Sequence, residues 1–266
     1  MVIQAGELVP GGELRFFGIR LTPITEEELL DCIGVSLERN ERTVMAHHNL
    51  HSMYLLKHDS TMRQLYAQAD VVWVDGMSLI VLARLYGYAI GRNRRITCVD
   101  WLPSLLERAA RRGWRLFFLG GCPGVVECAM ESLGYGTETL KYAHHSGFFD
   151  AKHDSVENRR VLALIAQERP DVLLVGMGMP RQERWIVENR EAIQARTVMA
   201  IGACLDYHAG VLRKPPRWSG RVGLEWLFRL LREPRRLGFR YLVEPVVVGL
   251  RVIVDLLRKR RWDCAK

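Results

Sequence analysis

Short apolar runs that end in glycine or a polar residue recur along the chain, and each is followed by a stretch with helical periodicity. Four of these runs are "VVWVDG", "LFFLGG", "VLLVGMG" and "VMAIGA". Strands that are apolar on both faces are typical of a parallel sheet covered by helices on its two sides. The pattern therefore predicts an α/β fold, with a Rossmann-like parallel sheet sandwiched by helices. One of the predicted helices covers residues 50–69.

The last fifty residues predict a different structure. They show no strand alternation, they combine basic with apolar residues, and they have helical spacing. We therefore predict a core over residues 1–216 and a basic amphipathic helical appendage over residues 217–266. Such an appendage suits an anionic lipid surface. The alternative is a pair of helices packed on the core, and the two interpretations are compatible.

The charge balance predicts an anionic partner. Lys and Arg number 38 against 30 Asp and Glu, a formal net charge of +8. Nucleic acid, nucleotide phosphates and an acidic membrane surface would each satisfy that excess. No uninterrupted apolar run reaches the roughly 18 residues of a membrane span, so we expect a soluble or peripheral protein. Cysteines without CxxC spacing indicate reduced thiols and a cytoplasmic location.

Polar residues follow several predicted strands at the edge where a parallel sheet binds its ligands. Asp75 is a candidate general base there if it stays ionised near a hydroxyl. The pattern alone favours a cap for the helix that begins after Gly76. His47 and His48 have no second ligand pair at metal spacing, which favours a structural role over a metal site. Gln182 stands at a helix start, where capping is again the default.

Glycine clusters at the same edge would let the backbone approach a phosphate. Their spacing matches neither GxGxxG nor GxxxxGK[ST], so NAD and ATP are not indicated. The glycines concerned are Gly120, Gly121, Gly124, Gly176 and Gly178.

Several motifs together resemble the WecG/TagA/CpsF glycosyltransferases, also called glycosyltransferase family 26. They include "VWVDGMSLI", "LFFLGGCPGVVE", "DVLLVGMGMPRQERW", "AIGACLDYHAG" and "GLEWLFRLLREPRR", in an order that fits from about residue 14 to 242. Members transfer a sugar from a UDP-sugar to a saccharide on a polyprenyl diphosphate, in the assembly of surface polysaccharides and exopolysaccharides. The resemblance implies an inverting enzyme on the inner face of the cytoplasmic membrane, with no nucleic acid partner, and it allows a homo-oligomer.

The resemblance also assigns roles to residues. Asp75 falls on the family's general base, although Val74 replaces the proline before it. Asn49 and Gln182 match active-site positions, whereas His47 replaces a threonine, which suggests a different sugar. Arg95 matches an active-site arginine. The donor site would comprise the five glycines above together with Pro180, Gln182, Asp206, Arg229, Arg232 and Arg236. The arginines that close over the diphosphate would be found among Arg229, Arg232, Arg235, Arg236 and Arg240.

This chemistry needs one base and a cation that holds the departing diphosphate. Arginines can supply the cation, and the chain has no DxD motif, so we expect neither a metal nor a cofactor beyond the UDP-sugar donor. The appendage is expected to close over the site at the membrane. Two alternatives are a nicotinamide-dependent enzyme on the same fold and a non-catalytic protein that binds the membrane surface.

Overall fold

The computed structural model describes residues 12–213 and 225–263, without the side chains of residue 225 and residues 260–263. Its centre is a six-stranded sheet in which all paired strands are parallel. An antiparallel hairpin precedes it. The strands are β1 (Leu14–Phe16), β2 (Ile19–Leu21), β3 (Thr43–His48), β4 (Val71–Val74), β5 (Leu116–Gly120), β6 (Tyr142–His145), β7 (Val172–Gly176) and β8 (Thr197–Ala200). The order across the large sheet is β4-β3-β8-β7-β5-β6.

Helices cover both faces of this sheet, as the sequence predicts. In chain order they are α1 (Glu26–Glu38), α2 (Leu50–Leu56), α3 (Ser60–Gln68), α4 (Met77–Leu85), α5 (Cys98–Arg112), α6 (Val125–Ser132), α7 (Val156–Glu168), α8 (Arg181–Glu188), α9 (Cys204–His208), α10 (Glu225–Arg232), α11 (Pro234–Gly238) and α12 (Glu244–Asp263). A 3₁₀ turn lies at Arg92–Arg94 and a π-helical turn at Phe239–Val243. Helices α1, α5, α6 and α9 contribute to one apolar core, and α2, α3, α4, α7, α8 and α12 to the other. The Rossmann-like prediction is confirmed.

The chain leaves β5 and β7 in opposite directions. The β5–β6 connection runs through α6 on one face, whereas the β7–β8 connection runs through α8 on the other. Gly120 and Gly176, which end these two strands, are register partners. Ligands of open α/β sheets bind in the crevice that forms at such a reversal of strand order. The topology therefore marks the end of these two strands as a ligand position.

Two elements differ from the sequence prediction. The helix predicted over residues 50–69 is divided into α2 and α3, because the Asp59 carboxylate accepts hydrogen bonds from the backbone N–H groups of Thr61 and Met62 and starts a new helix. Strand β6 was not predicted. Its residues, "YAHH", are only half-buried at the edge of the sheet and lack the apolar run that identifies the central strands.

The appendage packs on the core through α12. Val248 and Val252 are buried in the same core as α2, and the buried carboxylate of Glu244 lies 2.8 Å from Nδ1 of His51. The π-helical turn precedes Pro245, which lacks an N–H group and whose ring excludes a regular helical turn before it. The predicted boundary at 216/217 lies outside the described residues. Within the described ranges, no helix is long and apolar enough to cross a membrane.

Substituting Val252 by Asp should release α12 from the core. Val252 is 3% exposed, and an unpaired carboxylate at that position would lose its hydration without gaining a partner. We expect hydrogen exchange of the α12 amides to accelerate while the sheet stays protected. Val254→Asp is the matched control, because Val254 is 48% exposed on the same helix. Equal protection in the two variants would contradict docking through Val252.

Candidate active site

Asp75 lies at the end of β4 and is held by the neighbouring strand. Its backbone N–H donates to the carbonyl of His48 at 2.9 Å, and Nδ2 of Asn49 donates to Oδ2 at 3.3 Å. The cap interpretation of Asp75 is wrong: α4 begins at Met77, its N-cap residue is Gly76, and no side chain caps it. The Asn49 amide holds the carboxylate beside the end of β3 instead, where its side chain is 26% exposed.

Asn49 is itself fixed by the start of α2. Its Oδ1 accepts from the backbone N–H of Ser52, and Oγ of Ser52 accepts from the backbone N–H of Asn49, each at 3.0 Å. This capping box satisfies two N–H groups at the start of the helix. The side-chain amide that contacts Asp75 is therefore oriented by the same bonds that begin α2.

His47 lies on the other side of the carboxylate. Its Nδ1 lies 3.0 Å from the carbonyl oxygen of Ala200, which can only accept, so Nδ1 carries a proton. Its Nε2 lies 3.9 Å from Oδ2 of Asp75. The buried ring packs beside Trp73, with 5.3 Å between ring centroids. An amide and an imidazole thus flank Asp75.

Gln182 joins two loops beyond the sheet. Its Oε1 accepts from the backbone N–H groups of Gly178, at 3.2 Å, and Gly202, at 3.0 Å. Its Nε2 donates to Oε1 of Glu183 at 2.8 Å, and the side chain is fully buried. Helix α8 has no side-chain cap, so the default interpretation of Gln182 as a cap does not hold. Its amide ties the loop after β7 to the loop after β8.

Glu183, which accepts a hydrogen bond from this amide, has a strongly raised pKa. Burial raises the pKa of the Glu183 carboxyl to about 7, although the hydrogen bond from Gln182 opposes that shift. Its Oε2 is buried and has no hydrogen-bond partner among the described residues. A protonated carboxyl would remove the cost of an isolated buried charge. Near neutral pH this group therefore changes its charge inside the core.

Backbone packing and backbone conformation require glycine at several positions at the strand ends. A Cβ on Gly120 would lie 2.4 Å from the carbonyl oxygen of Gly176, and one on Gly176 would lie 2.8 Å from that of Gly202. Gly121, Gly124 and Gly178 have positive φ angles, which disfavour other residues. Close backbone packing and backbone conformation thus account for these glycines whether or not a nucleotide binds. Pro180 stands at the start of α8, in the same loop.

Arg95 and Arg229 approach the site from different segments. The backbone at Arg95 forms a parallel bridge with Val74, directly beside Asp75. Arg229 comes from the appendage and lies over the Tyr207 ring, 4.9 Å from its centroid. Burial lowers the pKa of Arg229, but the phenols of Tyr207 and Tyr241 and the carboxylate of Asp75 outweigh it and raise the pKa overall.

The Nε atom of Arg229 is also informative. It is buried and has no hydrogen-bond partner among the residues that the structure describes. A buried donor without an acceptor is unfavourable, so binding of an acceptor at this position would be favoured. An anionic oxygen bound next to Tyr207 would provide one.

The other predicted donor-site residues of this region are engaged elsewhere. Nη1 of Arg232 donates to the carbonyl of Arg213 at 2.9 Å, and Arg236 pairs with Glu233. Burial raises the pKa of Asp206, and the charge of Arg236 opposes this shift. Of the proposed diphosphate arginines, Arg229 is the one that the structure links electrostatically to Asp75.

Ser52, Glu183 and Tyr207 were missed as site residues. The spacing of Ser52, three residues after Asn49, is a capping-box signal that could have identified it. Glu183 looks like an ordinary first-turn acid, and Tyr207 carries no local signal, since its role depends on an appendage that is distant in sequence. Among the described residues, no group of three or more His, Cys, Asp and Glu side chains could hold a metal ion.

Comparisons with known proteins agree with the motifs. A model described as "Glycosyl transferase WecG/TagA/CpsF family" matches residues 14–262. N-acetylglucosaminyldiphosphoundecaprenol N-acetyl-beta-D-mannosaminyltransferases from Staphylococcus aureus strains MW2, NCTC 8325 / PS 47 and MRSA252 are each 27% identical to the chain over 175 residues. Each alignment spans 66% of this chain and 66% of the relative.

Substituting Glu183 by Gln should change how stability depends on pH. A carboxyl whose pKa is raised to about 7 in the folded state stabilises the fold fully below its unfolded pKa of 4.5, and this contribution is lost as pH rises through 7. Between pH 5 and pH 8 the wild type should lose up to about 3 kcal/mol of unfolding free energy relative to Glu183→Gln. Denaturant unfolding at both pH values measures this difference. A pH-independent difference would contradict it.

Proposed function

Because the chain belongs to the WecG/TagA/CpsF glycosyltransferase family, we propose that it transfers a sugar from a UDP-sugar to a saccharide carried on a polyprenyl diphosphate. The names of the staphylococcal relatives support the acceptor class, an N-acetylglucosaminyl diphosphoundecaprenol. They also make N-acetylmannosamine the first donor sugar to test. The product would be an intermediate of a bacterial surface polysaccharide or exopolysaccharide.

Asp75 is the proposed general base. In an inverting transfer, the acceptor hydroxyl oxygen forms a bond to the anomeric carbon while the bond from that carbon to the diphosphate breaks. The proton of the hydroxyl passes to the carboxylate. Oδ2 of Asp75 accepts from Asn49, and Oδ1 has no hydrogen-bond partner among the described residues, so one oxygen remains for the hydroxyl. This single observation, a fixed and partly exposed carboxylate at the sheet edge, carries the proposal.

Arg229 is the proposed cation for the leaving group. The departing UDP gains negative charge on its diphosphate as the glycosidic bond breaks. A guanidinium that is already in place, and already desolvated, stabilises that charge without reorganisation. Two observations support this role: Nε of Arg229 has no acceptor among the described residues, and the guanidinium lies over Tyr207.

The nucleotide is proposed to lie in the crevice between the ends of β5 and β7. This is where the strand order reverses, and the loops there contain Gly121 and Gly178, whose positive φ angles let the backbone turn close to a ligand. Gln182 would then act indirectly: by joining Gly178 to Gly202 it holds the loop in shape. Since arginine supplies the positive charge, we propose that the transfer does not require a metal ion.

The proposed location is the inner face of the cytoplasmic membrane, where the lipid-linked acceptor and a nucleotide sugar can meet. Helix α12 supports this location, because the side of the helix that faces away from the core carries apolar residues in contact with solvent. Apolar surface of this kind inserts at the boundary between head groups and acyl chains.

Substituting Asp75 by Asn should abolish most turnover but preserve donor binding. Loss of a general base typically lowers the rate by about 10²- to 10⁴-fold. The assay follows product mass after incubation with a panel of UDP-sugars and a lipid-diphosphate N-acetylglucosamine, with and without a chelator. Asp154→Asn is the matched control, since Asp154 is exposed and follows β6, the strand at the opposite end of the sheet from β4. Unchanged turnover in Asp75→Asn would refute the assignment and favour a protein that only binds.

Substituting Arg229 by Gln should weaken the hold on the diphosphate. We expect turnover to fall by about 10²- to 10³-fold, as when a single stabilising donor of a transition state is removed. Calorimetric titration with UDP should show weaker binding in the same variant. Arg160→Gln, at an exposed position on α7, controls for loss of one positive charge. If UDP binds both variants equally, the cation for the diphosphate lies elsewhere.

A further inference from the structure

A cavity of about 890 Å³ lies away from the proposed transfer site. Its walls come from the turn of the β1–β2 hairpin, the ends of α2 and α3, and the distal part of α12. None of Asp75, Gln182 and Arg229 lines it. Pockets of this size accommodate a small molecule or a head group.

The rim of this cavity is basic. Five basic side chains line it against one carboxylate, that of Asp255; they are Arg15, Arg20, Lys57, Arg63 and Lys259. Glu13 pairs with the first two of these, Arg15 and Arg20, at 2.7 Å each.

The other three rim cations have no carboxylate partner among the described side chains. Within the described residues, no ion pair involves Lys57, Arg63 or Lys259. The two amines instead lie over aromatic rings, Lys57 at 5.6 Å from the Phe17 centroid and Lys259 at 4.7 Å from that of Tyr86. The unpaired charge favours an anionic ligand.

The interior offers a hydrogen-bond acceptor among apolar walls. Oγ of Ser52 donates its proton to the carbonyl of Asn49, so Nδ1 of His48, 2.8 Å away, must donate to that Oγ. Burial lowers the pKa of His48 to about 3, which keeps the ring neutral, and the ring stacks on Tyr66. Nε2 therefore has a lone pair, and no described residue donates to it. A ligand hydroxyl can.

The outer side of α12 adds an apolar surface next to this cavity. Asp255 and Lys259 form part of the cavity wall, whereas side chains on the solvent side of the same helix are 48–60% exposed. A cationic pocket beside such a surface fits an amphiphile, with its phosphate inside and its hydrocarbon outside. The exposed residues are Val246, Leu250, Ile253, Val254 and Leu257.

We propose that this cavity binds the head group of an anionic phospholipid that carries a hydroxyl, such as a phosphatidylglycerol. Lys57, Arg63 and Lys259 hold the phosphate, and His48 accepts a hydrogen bond from the hydroxyl. The site is separate from the transfer site, and its ligand is not a substrate. It would select the lipid surface on which α12 rests.

The test is calorimetric titration of the full-length protein with a short-chain, soluble phosphatidylglycerol, followed by flotation with phosphatidylcholine vesicles that contain or lack phosphatidylglycerol. Lys57→Gln and Lys259→Gln should each weaken head-group binding about tenfold, the usual effect of losing a charge-assisted hydrogen bond. Both residues are exposed, so the variants should fold. Arg258→Gln is the matched control, because Arg258 is the exposed neighbour of Lys259 and does not line the cavity.

Three results would overturn the proposal. Equal weakening in all three variants would mean that only general electrostatic attraction acts. Equally tight binding of free glycerol phosphate would identify a soluble phosphate ester as the ligand. Equal binding to vesicles with and without phosphatidylglycerol would exclude head-group selection. None of these readouts depends on sugar transfer, so the failure of this proposal and that of the proposed function are distinguishable.

Discussion

The common direction of six strands is the constraint from which the candidate site follows. In a parallel sheet every strand delivers its next residue to the same edge, so Asn49 and Asp75 meet there although they are far apart in the chain, and the loop of Gln182 lies at the same edge. The strands carry apolar side chains on both faces of the sheet. These side chains are buried only when helices cover both faces, which favours the parallel arrangement. Polar groups are therefore excluded from the strands themselves and concentrate where the strands end.

At that edge, the polar side chains are held mainly by backbone groups. The Asn49 side chain is positioned by the first turn of α2, His47 by a carbonyl of β8, and the Gln182 amide by two loop N–H groups. Such bonds leave little rotational freedom, which is the condition for catalytic geometry that does not have to be assembled in each cycle. Glu183 is the exception, since one of its oxygens has no partner within the described part of the chain and burial raises the pKa of its carboxyl to about 7.

The sequence predicted the parallel sheet and its ligand edge because both depend on local patterns that are repeated along the chain. It did not predict β6, whose residues are half-buried at the sheet edge. Nor did it predict the helix break at Asp59, where the side-chain carboxylate bonds to backbone N–H groups and starts a new helix. Local pattern also favoured a cap at Asp75. The contact with Asn49 overrides that preference, and it connects residues of different strands, so no local window contains it. The contact between Arg229 and Tyr207 could not be predicted for the same reason, because the two residues belong to different segments of the chain.

The contact between His51 and Glu244 links the appendage to α2, the helix next to the proposed base. His51 is the second residue of α2. Asn49, which donates a hydrogen bond to Asp75, is the N-cap of that helix. Helix α2 has only seven residues and packs along α12, so it connects α12 directly to the position of Asn49. Glu244 of α12 therefore contacts a residue that lies two positions from Asn49, whose amide holds the Asp75 carboxylate. The docking of the appendage and the orientation of the proposed base thus depend on the same short helix.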